Sequence, residues 1–555
     1  MQQSETRWSD LVSANNIPET SVILAPNGEP AASMTGGPNQ SYSGSAVSRE
    51  LARWNPRQQS ADAAYLPNRE KLTNRSQDLA RNDSLISSGI QTHVDAVVGK
   101  SFKLSAKPNA KMLGLDQEQA AELSMEIEAK FSLWAESCDY WIDAEGRRTF
   151  TGIIREGVRT AVTSGEIFAS AEWIPNRGKY KTAIRLIDPD RISNPHDRQD
   201  TNSLRAGVQM NAMGEASSFW VRNSHKSERS LAGSETHTWT DVPRRAPWGR
   251  ELMLHVFEPL RAGQTRGINR LVSVLKSVKM LEKFSDSHLQ NAILNAMYAV
   301  TVESNMDSQT IFDAIGVTNK DDLETSNLGQ YMQFQDWYTN QNNLKFDGAK
   351  IVHLPPNNKL NLNRASVTAD FSPFEQSFVR RMAAGFNMSY EEFSRDFTKT
   401  NFSSARAAMM QSWRYFMGMR NIVAIPLASK IYSLWLEEAL DSGEIKVPKG
   451  VPGFWDAKEA WINASWIATG QPQIDGLKET KTIVLQLDTG LISLEEACAQ
   501  LGRDWTEVIE QIARERKILT SLGLPAPFLG LADRILSEPP EAPEQESPGV
   551  DTNNT

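Results

Sequence analysis

Residues Arg266–Met297 read RGINRLVSVLKSVKMLEKFSDSHLQNAILNAM. Ile268, Leu271, Leu275 and Val278 recur at spacings of three and four and line one face of a helix. Lys276, Lys279, Glu282, Lys283 and Asp286 supply charge elsewhere. The stripe then shifts to Leu289, Ile293 and Met297, with small Ala292, Ala296 and Ala299 beside it. The spacing predicts a single helix over 266–297, roughly 48 Å long at about 1.5 Å per residue. A helix of that length exceeds what a small globular core requires.

Downstream, a mixed segment from Tyr298 to Arg364 contains strand-like Ala349–Leu354 before Pro355 and Pro356. A second helix is predicted over Ser372–Asn387, carrying Phe374, Phe378, Met382 and Phe386. A third, from about Ser403 to Leu440, is interrupted by Gly418 and Pro426, which should kink it. Short helices follow: Asp475 and Gly490 bracket one, while Ser493 with Glu496 and Asp504 with Glu507 form capping-box patterns. The last helix fades before Gly523.

Upstream, Asp116 is placed to cap a helix through Ser137, with Ala120, Leu123, Ile127, Phe131 and Trp134 on one face. Strands are expected at Glu166–Trp173 and Tyr180–Ile187 around a Pro-Asn-Arg-Gly turn. Others are expected at Leu204–Met210 and Ser217–Val221 around Asn211–Gly214, and at Met253–Phe257. The fold class is α+β. The first fifty residues are rich in Ser, Asn, Gly and Pro and read as a flexible arm, and Glu538–Thr555 reads as disordered. There is no internal repeat, which argues against a solenoid or propeller.

Composition narrows the function. The chain has 555 residues and two cysteines, Cys138 and Cys498, too few for a disulfide framework or a Cys-rich metal module. The sequence shows no export signal, and its apolar runs fall short of the roughly 18 residues of a membrane span. The formal charge is −9, but the stretch from Ala526 onward carries six acids against Arg534, leaving −4 on the body. That body lacks the basic footprint of a tight nucleic-acid binder, although DNA could pass close by.

Catalytic patterns fail on inspection. Gly99-Lys100-Ser101 lacks the upstream glycine of a phosphate-binding loop, because Val94 stands there and the residues between are Asp95-Ala96-Val97-Val98. The seven histidines are scattered, with no pair at metal-ligand spacing. Glu391-Glu392 and Glu437-Glu438 are sequence neighbours, which on a helix do not face each other, and they read as solvated faces. No cofactor or metal is expected, and the chain reads as a non-enzyme.

Several stretches, met in one order, resemble the lambda-type portal family of tailed bacteriophages. They include ARWNPRQQSADAAYLPNR (Ala52–Arg69), GIQTHVDAVVGKSFKLSAKP (Gly89–Pro108), RRTFTGIIREGV (Arg147–Val158) and HVFEPLRAGQTRGIN (His255–Asn269). FEQSFVRRMAAGFNMSYEEFSRDF (Phe374–Phe397), SSARAAMMQSWRYFMG (Ser403–Gly418) and QIDGLKE (Gln473–Glu479) continue the series, which spans roughly residues 45 to 520.

After the arm that composition gives over 1–50, the resemblance implies a wing over 51–265 and a stem helix over 266–299. It implies a clip over 300–369, a second stem helix over 370–389, and a tunnel loop with a long kinked helix over 390–440. A wing return over 441–472, a helical crown over 473–525 and an acidic tail over 526–555 complete the chain. The implied function is a dodecameric ring at one capsid vertex, through which double-stranded DNA is packaged and ejected. Implied partners are other copies of the chain, DNA in transit, a terminase, a head–tail connector and capsid or scaffold protein, with no membrane. The implied location is the virion, and the host cytoplasm during assembly.

Arg395, Lys399 and Asn401, between the second and third helices, are the candidates for facing DNA. Alternatively, Arg395 and Lys399 pair with Glu391, Glu392 or Asp396 at a subunit interface. Leu271, Leu275, Val278, Phe378 and Trp413 are the candidates for contact with a neighbouring subunit. The competing readings are another virion protein, such as a capsid or connector component, and a DNA-processing enzyme, against which the absent nucleotide loop counts.

Overall fold

A computed structural model describes residues 53–228, 236–297, 371–398, 400–472 and 475–524. Residues 1–64 and 65–555 form two units. The regions expected as arm (1–50), clip (300–369) and acidic tail (526–555) lie outside the described residues, as does Lys399.

The second unit opens with helices α1 (Arg69–Asn82) and α2 (Ser84–Val97), joined at Asp83, whose carboxylate caps α2 by accepting from Ile86 N at 2.8 Å. After strand β1 (Lys103–Ala106) comes α3 (Gln117–Ala135), closed at its start by the full Asp116–Gln119 capping box. Helix α4 (Phe150–Ser164) is capped by Thr149 and ended by Gly165 at φ 92°.

The sheets follow. Strand β2 (Glu166–Trp173) lies between β3 (Thr182–Ile187) and β8 (Met253–Phe257), both antiparallel, with Phe168 opposite Ile187 and His255. A second sheet runs β4 (Leu204–Arg205), β5 (Val208–Met210), β6 (Ala216–Arg222) and β7 (Trp239–Pro243) in sequence order. The stretch expected as one strand, Leu204–Met210, is therefore a tight hairpin. Ala206 (φ 45°) and Gly207 (φ 84°) turn the chain there, and a Cβ on Gly207 would meet Ser193 N at 2.5 Å. A two-stranded sheet joins β1 to β9 (Ala464–Ile467), with Lys103 opposite Ile467.

The long helix is shorter than its pattern. Helix α5 spans Leu275–Met297, and residues 266–274 are not helical. Arg266 and the backbone of Gly267 are tied to Glu166, and a Cβ on Gly267 would lie 2.1 Å from Gly165 O. Tertiary contacts thus overrode a helical period there. The partner helix α6 (Phe371–Gly385) runs back along α5: Phe284 meets Phe374 with ring centroids 4.3 Å apart, and a Cβ on Gly385 would lie 2.3 Å from Val274 Cγ1.

After short α7 (Tyr390–Ser394), the kinked helix is α8 (Phe402–Met419), a π-helical turn at Arg420–Ala424 and α9 (Ile425–Asp441). The π turn falls between Gly418 and Pro426, the stretch in which a kink was expected. Helix α9 is the centre of the core. Its Leu427, Ile431, Tyr432 and Trp435 are fully buried, with Phe131, Trp134 and Tyr180 packed on Trp435. Gly157 of α4 lets α9 approach, since a Cβ there would lie 2.8 Å from Leu427 Cδ2. Three helices end the described chain: α10 (Gly476–Asp488), α11 (Leu494–Gln500) and α12 (Trp505–Ser521). Among the described residues, no helix is long and apolar enough to cross a membrane.

Candidate functional site: the helix-pair joint and the segment before the kinked helix

The chain leaves the sheets and enters the α5/α6 pair through a buried charge cluster. Glu166, the first residue of β2, and Arg266 are both fully buried. Arg266 Nε donates to Glu166 Oε1 and Oε2 at 2.8 and 3.0 Å. Its other nitrogens donate to the carbonyls of Pro189 (2.9 Å), Ile192 (3.0 Å) and Ala206. His255 Nε2 lies 2.9 Å from Glu166 Oε2, Gly267 N donates to the same oxygen at 3.0 Å, and Arg69 Nε lies 3.8 Å from Oε1.

Burial would raise the Glu166 carboxyl, but Arg266, His255 and Arg69 hold it well below the ordinary carboxylate range. Burial pushes the Arg69 guanidinium down, with Arg266 adding to the effect. Burial also lowers His255 against the pull of Glu166. Its ring is stacked between Phe168 (4.1 Å) and Phe257 (4.6 Å). The partners of Arg266 come from β2, from the Pro189–Ile192 turn and from the Ala206 hairpin, so one side chain pins the sheets to the segment that leads into the helix pair. The sequence contained Arg266 in plain view, but its pattern assigned it to the first turn of a helix. A fixed fork of donors matched to carbonyls from two loops has no periodic signature.

Phe386, Phe393 and Arg395 lie against α2. Gly89 of α2 makes the fit possible: a Cβ there would lie 3.0 Å from Phe393 Cε2 and 3.2 Å from Phe386 Cε1. Ser389 caps α7 by accepting from Glu392 N at 3.2 Å, and Ser389 N donates to buried Ser412 Oγ of α8 at 3.0 Å. Arg395 ends α7 at φ 57°, is exposed, and its Nε donates to Ser88 Oγ of α2 at 3.0 Å. Asp396 accepts from Thr398 N and Oγ1, closing the loop on itself. Asn401 is exposed and caps α8, its side-chain oxygen accepting from Ser404 N at 2.8 Å. Glu392 works within the α7 cap and is not simply a solvated carboxylate.

At the kink, Arg420 Nε donates to Val97 O at 2.7 Å, and its NH2 donates to Ala96 O and Thr469 O at 2.9 Å. The π turn therefore places a cation on the C-terminal carbonyls of α2. Burial lowers this guanidinium to about 10. Gly99, once a candidate phosphate-loop residue, is part of the same junction: at φ 77°, a Cβ would meet Thr469 Oγ1 at 1.3 Å.

Three of the five expected interface residues are used inside the chain. Leu271, Leu275 and Val278 are buried in its own core, because the α5/α6 pair packs back on the body at its base. Phe378 and Trp413 are half-buried and pack against that core, Trp413 with Arg420 over its ring at 5.5 Å. Exposed apolar residues of the helix pair are instead Met280, Leu289 and Phe374.

The reading of Glu437-Glu438 as a solvated face is also corrected. Glu438 is buried and accepts from Lys181 N (2.7 Å) and Thr182 N (2.9 Å), while Glu437 pairs with Arg250 at 2.5 Å. The amides of Lys181 and Thr182, where β3 begins, thus find their acceptor in a carboxylate of α9. Asp188, Asp190 and His225 bring ligand atoms within 4.8 Å of one another. Asp188 and Asp190 already serve the local loop, accepting from Asp190 N and Gln77 Nε2 at 3.0 Å each.

The chain matches the family described as phage portal protein, lambda family, over residues 47–420. Portal protein B of Escherichia phage lambda is 40% identical over 487 residues, covering 87% of this chain and 90% of its own length. The portal protein of Escherichia phage N15 is 39% identical over 482 residues, covering 86% and 90%. Among solved structures, a chain from the neck of an empty GTA particle aligns at a TM-score of 0.37 and 12% identity. That alignment covers 77% of this chain and 93% of the other. With a family match over most of its length and two near-full-length relatives at about 40% identity, the chain belongs to the lambda family of phage portal proteins and is a portal subunit, a structural component of the virion.

Proposed function

We propose that this subunit assembles with copies of itself into a dodecameric ring at one capsid vertex, whose channel passes double-stranded DNA during packaging and ejection. The near-full-length similarity to two phage portal proteins carries this reading. The helix pair α5/α6 supports it, because it leaves a fixed joint and keeps Met280, Leu289 and Phe374 exposed for neighbours. The ring would be built from heterologous contacts, one face of each subunit meeting a different face of the next.

In this reading residues 300–369 form the clip that docks terminase and later the head–tail connector, and the sheets face capsid or scaffold. Assembly takes place in the host cytoplasm. Arg395, Lys399 and Asn401 are proposed to face the channel. A weakly charged body suits a conduit, since each phosphate neutralised adds salt-dependent grip that would oppose sliding.

Negative-stain imaging and sedimentation of the purified protein test the ring. Closed rings with a central hole are expected. Met280→Glu with Leu289→Glu should shift sedimentation toward single subunits while circular dichroism stays unchanged. Monomeric wild-type protein would overturn the reading.

A further inference from the structure

A cleft of about 580 Å³ lies between α3 and α12. Five carboxylates line it, from Glu128, Glu136, Asp504, Glu507 and Glu510, against a single cation, Lys103, which pairs with Glu507 at 2.7 Å. Its rim is apolar, with Met125 51% and Leu133 77% exposed on the outer face of α3. An acidic groove with an apolar face matches a basic segment that carries an aromatic anchor.

This chain contains such a segment. Residues 53–57 read RWNPR, without helix or strand, and both arginines and Trp54 (69%) are exposed. Pro56 restricts Asn55 to extended backbone, which lowers the ordering cost of docking. In extended form the two arginines stand about 13 Å apart. Glu128 and Glu136, eight residues apart on α3, are separated by about 12 Å of helical rise.

We propose that the acidic cleft receives the Arg53–Arg57 segment of a second copy, with Trp54 on Met125 and Leu133 and the arginines on the carboxylates. The second copy rests on the ring reading, in which consecutive subunits present different faces to each other. The same crowding of acids sets a pH dependence for the docking. Burial first, and then Asp504, Glu495 and Glu507, raise the Glu128 carboxyl to about 7. A cationic occupant favours its ionised form, so docking should strengthen as pH rises through about 7.

The test uses the full chain with exposed Cys138 changed to Ser, buried Cys498 retained, and Asn55→Cys combined with Ser132→Cys. A short bis-maleimide should give a ladder of linked subunits. The ladder should weaken about five-fold on adding Trp54→Ala or Glu510→Lys, and Arg57→Glu should restore the Glu510→Lys loss. Its yield should be higher at pH 8 than at pH 6. A crosslink confined to single chains would overturn the proposal. Rings without a ladder would overturn the docking and leave the ring reading standing; a ladder without rings would do the reverse.

Discussion

The body around α9 and the C-terminal helices differ in where their apolar side chains go. In the body, Trp435, Tyr432, Phe131 and Phe150 are buried among one another. Helices α10 and α12 have no buried residue at all, and of α11 only Ala497 and Cys498 are buried. Leu485, Leu494, Leu501, Ile509, Ile518 and Leu522 are exposed. Yet α10, α11 and α12 are each capped by a side chain, Asp475, Ser493 and Asp504. Local signals therefore suffice to start these helices, while the hydrophobic burial that dominates stability resides in the body. A subunit of this kind has a self-sufficient body and a C-terminal part whose apolar surface remains available.

The largest effect should come from the joint. Arg266→Met leaves Glu166 buried without its main counter-charge, and should cost about 3–5 kcal/mol. Urea unfolding of the body measures it. Adding Glu166→Leu should recover part of the loss, because the uncompensated charge then disappears. If Arg266→Met left the midpoint unchanged, the body would not depend on this cluster as the geometry requires.

A smaller effect should appear with acid. His93 of α2 is fully buried among Phe386, Tyr415 and Phe416, and burial lowers its pKa to about 4. The unfolded chain binds this proton near pH 6.5, whereas the folded one does not. Stability is thus fully present above about 6.5 and falls as pH drops toward 4, by about 2 kcal/mol at pH 5. Lowered His255 acts in the same direction, and raised, partly exposed Glu128 opposes it. The wild-type melting temperature should therefore drop between pH 7.5 and 5, and His93→Phe should flatten that slope. An equal slope in both proteins would remove His93 from the account.

The smallest effect belongs to the C-terminal helices. Ile518→Ser with Leu522→Ser should change the unfolding free energy of isolated subunits by less than about 0.5 kcal/mol. A core-sized loss would show that these side chains are covered within one chain, and the contrast between the regions would fall.

Much of this architecture was legible in the sequence. The Asp116 cap of α3, strands β2 and β8, and the caps of α10, α11 and α12 follow from local rules, and the structure has them. Each depends on residues a few positions apart, which the chain's own chemistry relates without help from the fold. Of the candidate channel residues, Asn401 also caps α8, a role the sequence reading did not assign it.

The departures have a common cause. Arg266 left its predicted helix because Glu166, a hundred residues earlier, lies beside it with the carbonyls of Pro189, Ile192 and Ala206. Leu271, Leu275 and Val278 are buried in the chain's own core, among residues from several distant segments. Glu438 became a buried acceptor because the amides of Lys181 and Thr182, where β3 begins, lie beside it. The sequence alone determined the types of most elements, their caps and the family, all written in short spacings and in ordered motifs. Which charges are buried, which apolar faces are used up and which remain for another subunit were decided only by tertiary structure. Desolvation and pairing depend on partners that are distant along the chain and adjacent only once it has folded.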